Sequence, residues 1–206
     1  MMTKEIKQKT ITLIMTGASG AQYGLRLLEE LVKADVSISL LISRPAQIVI
    51  NTETDLTIPS RASELENFFS KLYTAKTDQI KVYEREQWMA PIASGSGVSD
   101  VTVVCPCTTG TLSSIAVGAS KTLIERAADV AIKERKKLIL VVRETPFSDI
   151  HLENMLKLSR MGVVIMPANP GFYHQPKSID DIVDFMVARI MDHVGIPQQI
   201  IPTWGN

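Results

Sequence analysis

Cysteine, histidine and aromatic residues are all scarce in this sequence. Its 206 residues hold two cysteines and three histidines, and Phe, Trp and Tyr together make up 5%. The two cysteines, Cys105 and Cys107, are separated by one proline. They supply no disulfide framework, and a bond between them would be strained. They also make a poor metal site, because no pair of histidines stands near them at ligand spacing. No metal is expected, and three histidines suggest no Ser-His-Asp arrangement. An excess of either charge is missing too. Lys and Arg number 22 and Asp and Glu also 22, so no global basic field invites nucleic acid. No apolar run approaches the roughly 18 residues that a bilayer span needs. The polar opening Met1–Lys9 lacks the apolar core of a signal peptide, and neither repeats nor low-complexity stretches occur. These absences fit a reducing, cytoplasmic setting with no nucleic acid and no membrane as partner.

What is present is ordinary globular material, 45% hydrophobic and 21% charged. A chain of this length suits a single domain, 1–206, able to bury roughly 70% of its unfolded surface. The apolar end, residues 195–206, reads as an extended tail that packs on its own domain or on a neighbouring subunit.

The most informative stretch lies near the start. An apolar run, Ile11 to Met15, stops at the small-residue turn Thr16-Gly17-Ala18-Ser19-Gly20. A helical pattern follows, with Leu25, Leu28, Leu31 and Val32 spaced by three and four. Strand, tight turn and helix together bring backbone N–H groups and a helix dipole to an anion. Ser19 is expected at or near the N-cap. The second strand, Val36 to Ile42, ends at Ser43-Arg44-Pro45, where a dinucleotide fold would carry an acidic residue for the ribose. Gly17, Gly20 and Gly24 also miss the G-x-G-x-x-G spacing. NAD is disfavoured, and Arg44 leaves NADP open. A mononucleotide or another phosphate ligand fits better.

Further along, a short helix is expected over Ala46–Asn51, with Glu53 in a polar turn after it. A helix over Ala62–Leu72 and a strand over Ile80–Tyr83 follow. Ser94-Gly95-Ser96-Gly97 reads either as a flexible connection or as a phosphate cradle. Val101–Cys105 reads as a strand buried on both faces. It runs through the hydroxyl-rich turn Thr108-Thr109-Gly110-Thr111 into a helix from Leu112 to Val117. A helix over Thr122–Lys136 stacks Arg126 and Lys133 two turns apart. Glu125 and Glu134 nearby read as part of a solvated face. Strand Leu138–Val142 delivers Arg143 and Glu144 to its C-terminal end, where ligands of open α/β sheets bind. A helix from His151 to Met161 and a strand from Val163 to Met166 lead to a long turn with Tyr173 and His174. The last helix, Ser178–Val194, carries Arg189.

These motifs, taken in order, make the chain resemble the UbiX-type flavin prenyltransferases. The match runs from Thr10 to Trp204. It rests on Thr16–Gly24, Met89–Ser96, Cys105–Thr111, Leu123–Val130, Arg143–Phe147, His151–Leu156 and Pro170–His174. Ser120-Lys121-Thr122 departs from it, since an Asp-Asn or similar pair is expected there. The resemblance implies an α/β fold, a flavodoxin-like Rossmann three-layer sandwich with a mainly parallel sheet. It implies a dodecamer with active sites at subunit junctions. FMN would be bound by Gly17, Ala18, Ser19, Ser43, Thr108, Thr109, Gly110, Thr111 and Arg143. Dimethylallyl phosphate would be bound by Ser94, Gly95, Arg126, Lys133, Tyr173 and Arg189, some from a neighbouring subunit. The implied reaction puts the dimethylallyl group on N5 and C6 of reduced FMN. The prenylated FMN passes to a UbiD-type decarboxylase.

The residues agree with that chemistry. Allyl–phosphate cleavage leaves an anion, and Arg126, Lys133 and Arg189 are suited to neutralise it. Glu144 suits a general acid or base, with Ser19 as relay. Glu53 joins them as a catalytic candidate, and Trp204 would shield an allylic cation. A flavin-dependent cysteine-type decarboxylase is the alternative of similar fold, but it needs a histidine after the second strand, where Ser43–Ile50 has none. A non-catalytic FMN binder would need no second set of cations.

Overall fold

The computed structural model describes residues 8–202. Its chain alternates strands β1 (Thr10–Met15), β2 (Ser37–Ile42), β3 (Ile80–Val82), β4 (Val101–Cys107), β5 (Lys137–Val142) and β6 (Val164–Pro167) with seven α-helices. These are α1 (Ala21–Lys33), α2 (Arg44–Glu53), α3 (Ala62–Leu72), α4 (Thr109–Ala116), α5 (Leu123–Lys133), α6 (Asp149–Arg160) and α7 (Ile179–Val194). Two 3-10 turns, Pro91–Ala93 and Gly95–Gly97, precede β4.

All six strands pair in parallel, in the order β3-β2-β1-β4-β5-β6. Without the three-residue edge strand β3, the order is that of flavodoxin-like sheets. The chain reverses its direction of winding between β1 and β4, so the switch point lies at their C-terminal ends.

Alternation along each strand builds two cores. Ile11, Leu13 and Met15 of β1 face the layer of α1, α3 and α7, where Leu27, Leu28, Phe69 and Val187 are fully buried. Ile14, Leu41, Val104 and Leu140 face the other layer, with Leu112, Ala128 and Leu158 of α4, α5 and α6. Each buried Leu, Ile, Val, Met or Phe among them contributes about 1.5–3 kcal/mol. The helices of the second layer crowd alanines, Ala127, Ala128 and Ala131, against the sheet, which lets α5 approach closely.

Helix starts follow local chemistry. Thr122 and Glu125 form a capping box on α5, and Ser178 with Asp181 forms one on α7. The departure at Ser120–Thr122 therefore leaves the entry of α5 intact. Arg26 of α1 holds Asp184 of α7 at 2.7 Å, pinning two helices of the first layer together. Ile196 is buried and Ile200 packs on the first core, so the tail lies against its own subunit as far as Ile200. No helix among the described residues is long and apolar enough to cross a membrane.

Candidate active site at the switch point

The turn after β1 is tied to the end of β4 by Thr16. Its hydroxyl donates to the Pro106 carbonyl at 2.8 Å and accepts from the Thr108 amide at 2.8 Å. Between Val104 and Cys107 the pairing of β4 with β5 shifts register. That bulge sends Cys105 into the first core and Cys107 into the second. Both are free, fully buried thiols; burial pushes both pKa values far up, Cys107 to about 12.

Gly17 is a residue of close approach, because a Cβ there would overlap the Cβ of Pro45. Gly20 adopts φ 99°, a left-handed conformation, and is itself the N-cap of α1. Ser19, expected at or near the N-cap, stands one residue before it, and its side chain does not cap the helix. Nor are the N–H groups of Gly20 and Ala21 left for a ligand anion. They donate to Glu53 Oε2 at 2.8 and 3.0 Å. Glu53 ends α2 rather than lying in a turn. Burial would raise its pKa, but the Ser19 hydroxyl, the two amides and the Arg143 guanidinium outweigh it and hold the carboxylate low.

The other helix start is different. α4 begins at Thr109, not Leu112, so the hydroxyl-rich segment is a helix N-terminus instead of a turn. Thr108 caps it, its Oγ1 accepting from the Thr111 amide at 3.1 Å and donating to Thr111 Oγ1 at 2.9 Å. Among the described residues no side chain caps Thr109 or Gly110. A Cβ at Gly110 would meet nothing nearer than Thr108 Oγ1 at 3.9 Å. Ser43 is buried at the start of α2, where Oγ accepts from the Ala46 amide at 3.1 Å and keeps its own proton to donate.

Arg143 spans the switch point. Its amide donates to Cys107 O at 3.2 Å and its Nε to Ser19 O at 3.3 Å. Glu144 beside it accepts from Thr109 Oγ1 at 3.4 Å and from the Thr145 amide at 3.1 Å. Gly17, Ala18, Ser19, Glu53, Thr108–Thr111, Arg143 and Glu144 thus form one constellation at the strand ends. The residues fit a flavin mononucleotide: an open helix N-terminus, hydroxyls and a guanidinium suit a phosphate, and no acid stands where an adenosine ribose would be held.

A second group lies along α5. Arg126 Nε donates to Ala93 O at 3.0 Å, and Nη1 pairs with Asp129 at 2.9 Å. Lys133 pairs with Glu134, and both side chains reach Gly95. Ser94, Gly95, Arg126 and Lys133 are therefore brought together as expected. Asp129 and Glu134 were not expected there; only the positions of the cations hinted at them.

Tyr173 and Arg189 line a separate cavity of about 360 Å³ with His174, Phe185 and the tail residues Gln198, Ile201 and Pro202. Neither Arg126 nor Lys133 lines it. Trp204 lies outside the described residues.

The chain matches the family model Flavoprotein over residues 2–191. It is 58% identical to the flavin prenyltransferase UbiX of Pseudomonas aeruginosa over 196 residues, 95% of this chain and 94% of that protein. The chain belongs to the UbiX flavin prenyltransferase family. Among solved structures, AnUbiX (PadA1) in complex with FMN and dimethylallyl pyrophosphate superposes with TM-score 0.85 at 36% identity, over 97% of this chain and 99% of that one. A dodecameric FMN-dependent UbiX-like decarboxylase from Escherichia coli O157:H7 gives 0.83 at 39% identity, over 96% of this chain and 100% of that one. The peptidyl-cysteine decarboxylase EpiD, at 16% identity and TM-score 0.54, shares the fold alone. The cysteine-type alternative is not favoured: membership of the UbiX family places this chain with prenyltransferases.

Proposed function

We propose that this protein transfers the dimethylallyl group of dimethylallyl phosphate to N5 and C6 of reduced FMN, giving prenylated FMN. One observation carries the reading. The chain holds two separate places for a phosphate, the open start of α4 and the cation pair of α5 over the Ser94–Gly95 loop. One suits the flavin and the other suits a phosphorylated co-substrate. Gly17, Ala18, Ser19, Ser43, Thr108–Thr111 and Arg143 would hold FMN, which when reduced supplies the nucleophilic atoms.

The rest falls to the chain's own side chains. The allylic carbon–oxygen bond breaks with its electron pair on phosphate, and Arg126 and Lys133 neutralise that charge. Tyr173 and Arg189, in their own cavity, reach a neighbouring subunit's site in a dodecamer. Trp204, carried on the tail, is the aromatic face for the cationic fragment. Glu144 accepts the proton that a ring carbon gives up when the second bond forms. Ser19 donates to the ionised Glu53, which keeps its oxygen aimed as a relay. The product serves a UbiD-type decarboxylase, in the cytoplasm.

The test is anaerobic incubation with reduced FMN and dimethylallyl phosphate, followed by mass spectrometry of the released flavin. A gain of one dimethylallyl group is expected, and an unmodified flavin refutes the proposal.

A further inference from the structure

Lys133 and Glu134 are neighbours in sequence, so helical spacing alone would point them apart. Lys133 ends α5 and Glu134 is its C-cap. Their side chains nevertheless converge, in contact with each other, on the α-carbon of Gly95. A methyl group at position 95 would run into Glu134 Oε1, with the Glu134 carboxyl carbon at 2.8 Å and Lys133 Nζ at 3.1 Å. A carboxylate thus lies between a glycine loop and an ammonium group, the surroundings that a phosphate would seek there. The missing side chain at Gly95 makes room for it.

Arg126 is placed differently. Its Nε is held by Ala93 O and its Nη1 by Asp129, which fixes the guanidinium plane from the side. Asp129 makes no approach to Gly95 comparable to that of Glu134.

We propose that Glu134 is a resident counter-anion that competes with the donor's phosphate for Lys133. This rests on reading Ser94, Gly95, Arg126 and Lys133 as the donor site. To bind, the phosphate exchanges the Lys133–Glu134 pair for its own pair with Lys133. As inorganic phosphate leaves, the carboxylate takes the lysine back. Glu134 lowers the affinity of the site for phosphate and protects the enzyme from product inhibition. The pair is about half exposed, with side chains at 46% and 38%, so it is weak enough to exchange. Asp129 does the opposite, orienting a cation rather than competing for it.

The test uses the full-length, FMN-loaded protein and inorganic phosphate as probe. Its dissociation constant is measured by calorimetry, and its inhibition constant against dimethylallyl phosphate in the anaerobic assay. Glu134→Gln should tighten both threefold to tenfold, whereas Asp129→Asn should weaken both. Glu134→Asp, which keeps the charge on a shorter arm, should fall between wild type and Glu134→Gln. It also tests the idea if the amide variant fails to fold. Unchanged or weakened phosphate binding in Glu134→Gln overturns the proposal. Lys133→Ala separates the two readings. If it leaves phosphate binding intact, the donor site has been misplaced. If it abolishes binding while Glu134→Gln gains nothing, only the competition fails.

Discussion

α1 and α4 start side by side at the switch point, each after a buried strand, α1 through a turn of small residues and α4 directly from its cap Thr108, yet they end in opposite states. The N-terminus of α1 is closed by an anion the protein brings itself, Glu53, reaching across from the end of α2. The N-terminus of α4 carries only its local cap, Thr108, and its first amides stay open. A helix start is therefore a binding site only when no distant acid has reached it first. Here the closed start positions Ser19, and the open one is where the proposed function puts the phosphate of FMN.

The strongest way to break this contrast lies beside the open start. Glu144→Gln should bind FMN normally but lower turnover by about a hundredfold or more. Wild-type turnover in that variant would remove Glu144 from the chemistry. On the closed side, Gly17→Ala drives a methyl into Pro45 and should cost about 1–3 kcal/mol in urea denaturation. Glu53→Gln should cost about 1 kcal/mol, the value of a lost N-cap. Its pH dependence is the sharper signature. Glu53 has its pKa depressed in the folded state below the ordinary 4.5. Its stabilisation is thus complete above that value and is lost as pH falls through the folded pKa. Wild type and Glu53→Gln should differ in urea midpoint at pH 7 and converge in acid; a constant gap would show that the charge is irrelevant. The smallest effect is expected at Gly110→Ala, where space is open. Stability should hold or rise by up to about 1 kcal/mol while FMN affinity falls. A clear loss of stability there would mean that the start of α4 is packed, not open.

Much of the fold was legible because apolar periodicity is local. α3 runs over Ala62–Leu72 as its spacing indicates, and β1, β5 and α7 fall within a residue of expectation. The start of α4 was harder to see, because three threonines and a glycine are poor helix formers and look like a turn. Of the site, Arg143 and Glu144 could be found from their place at a strand end. The capping role of Glu53 could not, since the contact joins residues 33 positions apart. Glu134 read as a solvated charge because nothing in its own helix shows that Gly95 lies beneath it. Tyr173 and Arg189 were found as residues, but their separation from Arg126 is a fact of three dimensions.

The bulge in β4 has a chemical consequence. Reduced flavin left in air gives up its electrons to oxygen and releases hydrogen peroxide, and peroxide attacks thiolates. Cys105 and Cys107 stand in the very strand that delivers Thr108, Thr109 and Thr111, the threonines proposed to hold the flavin. Yet each sulfur is sealed in a different hydrophobic layer and kept protonated. Peroxide formed at the strand ends should find no thiolate within the sheet to oxidise, so stray oxygen would consume flavin and spare these two cysteines.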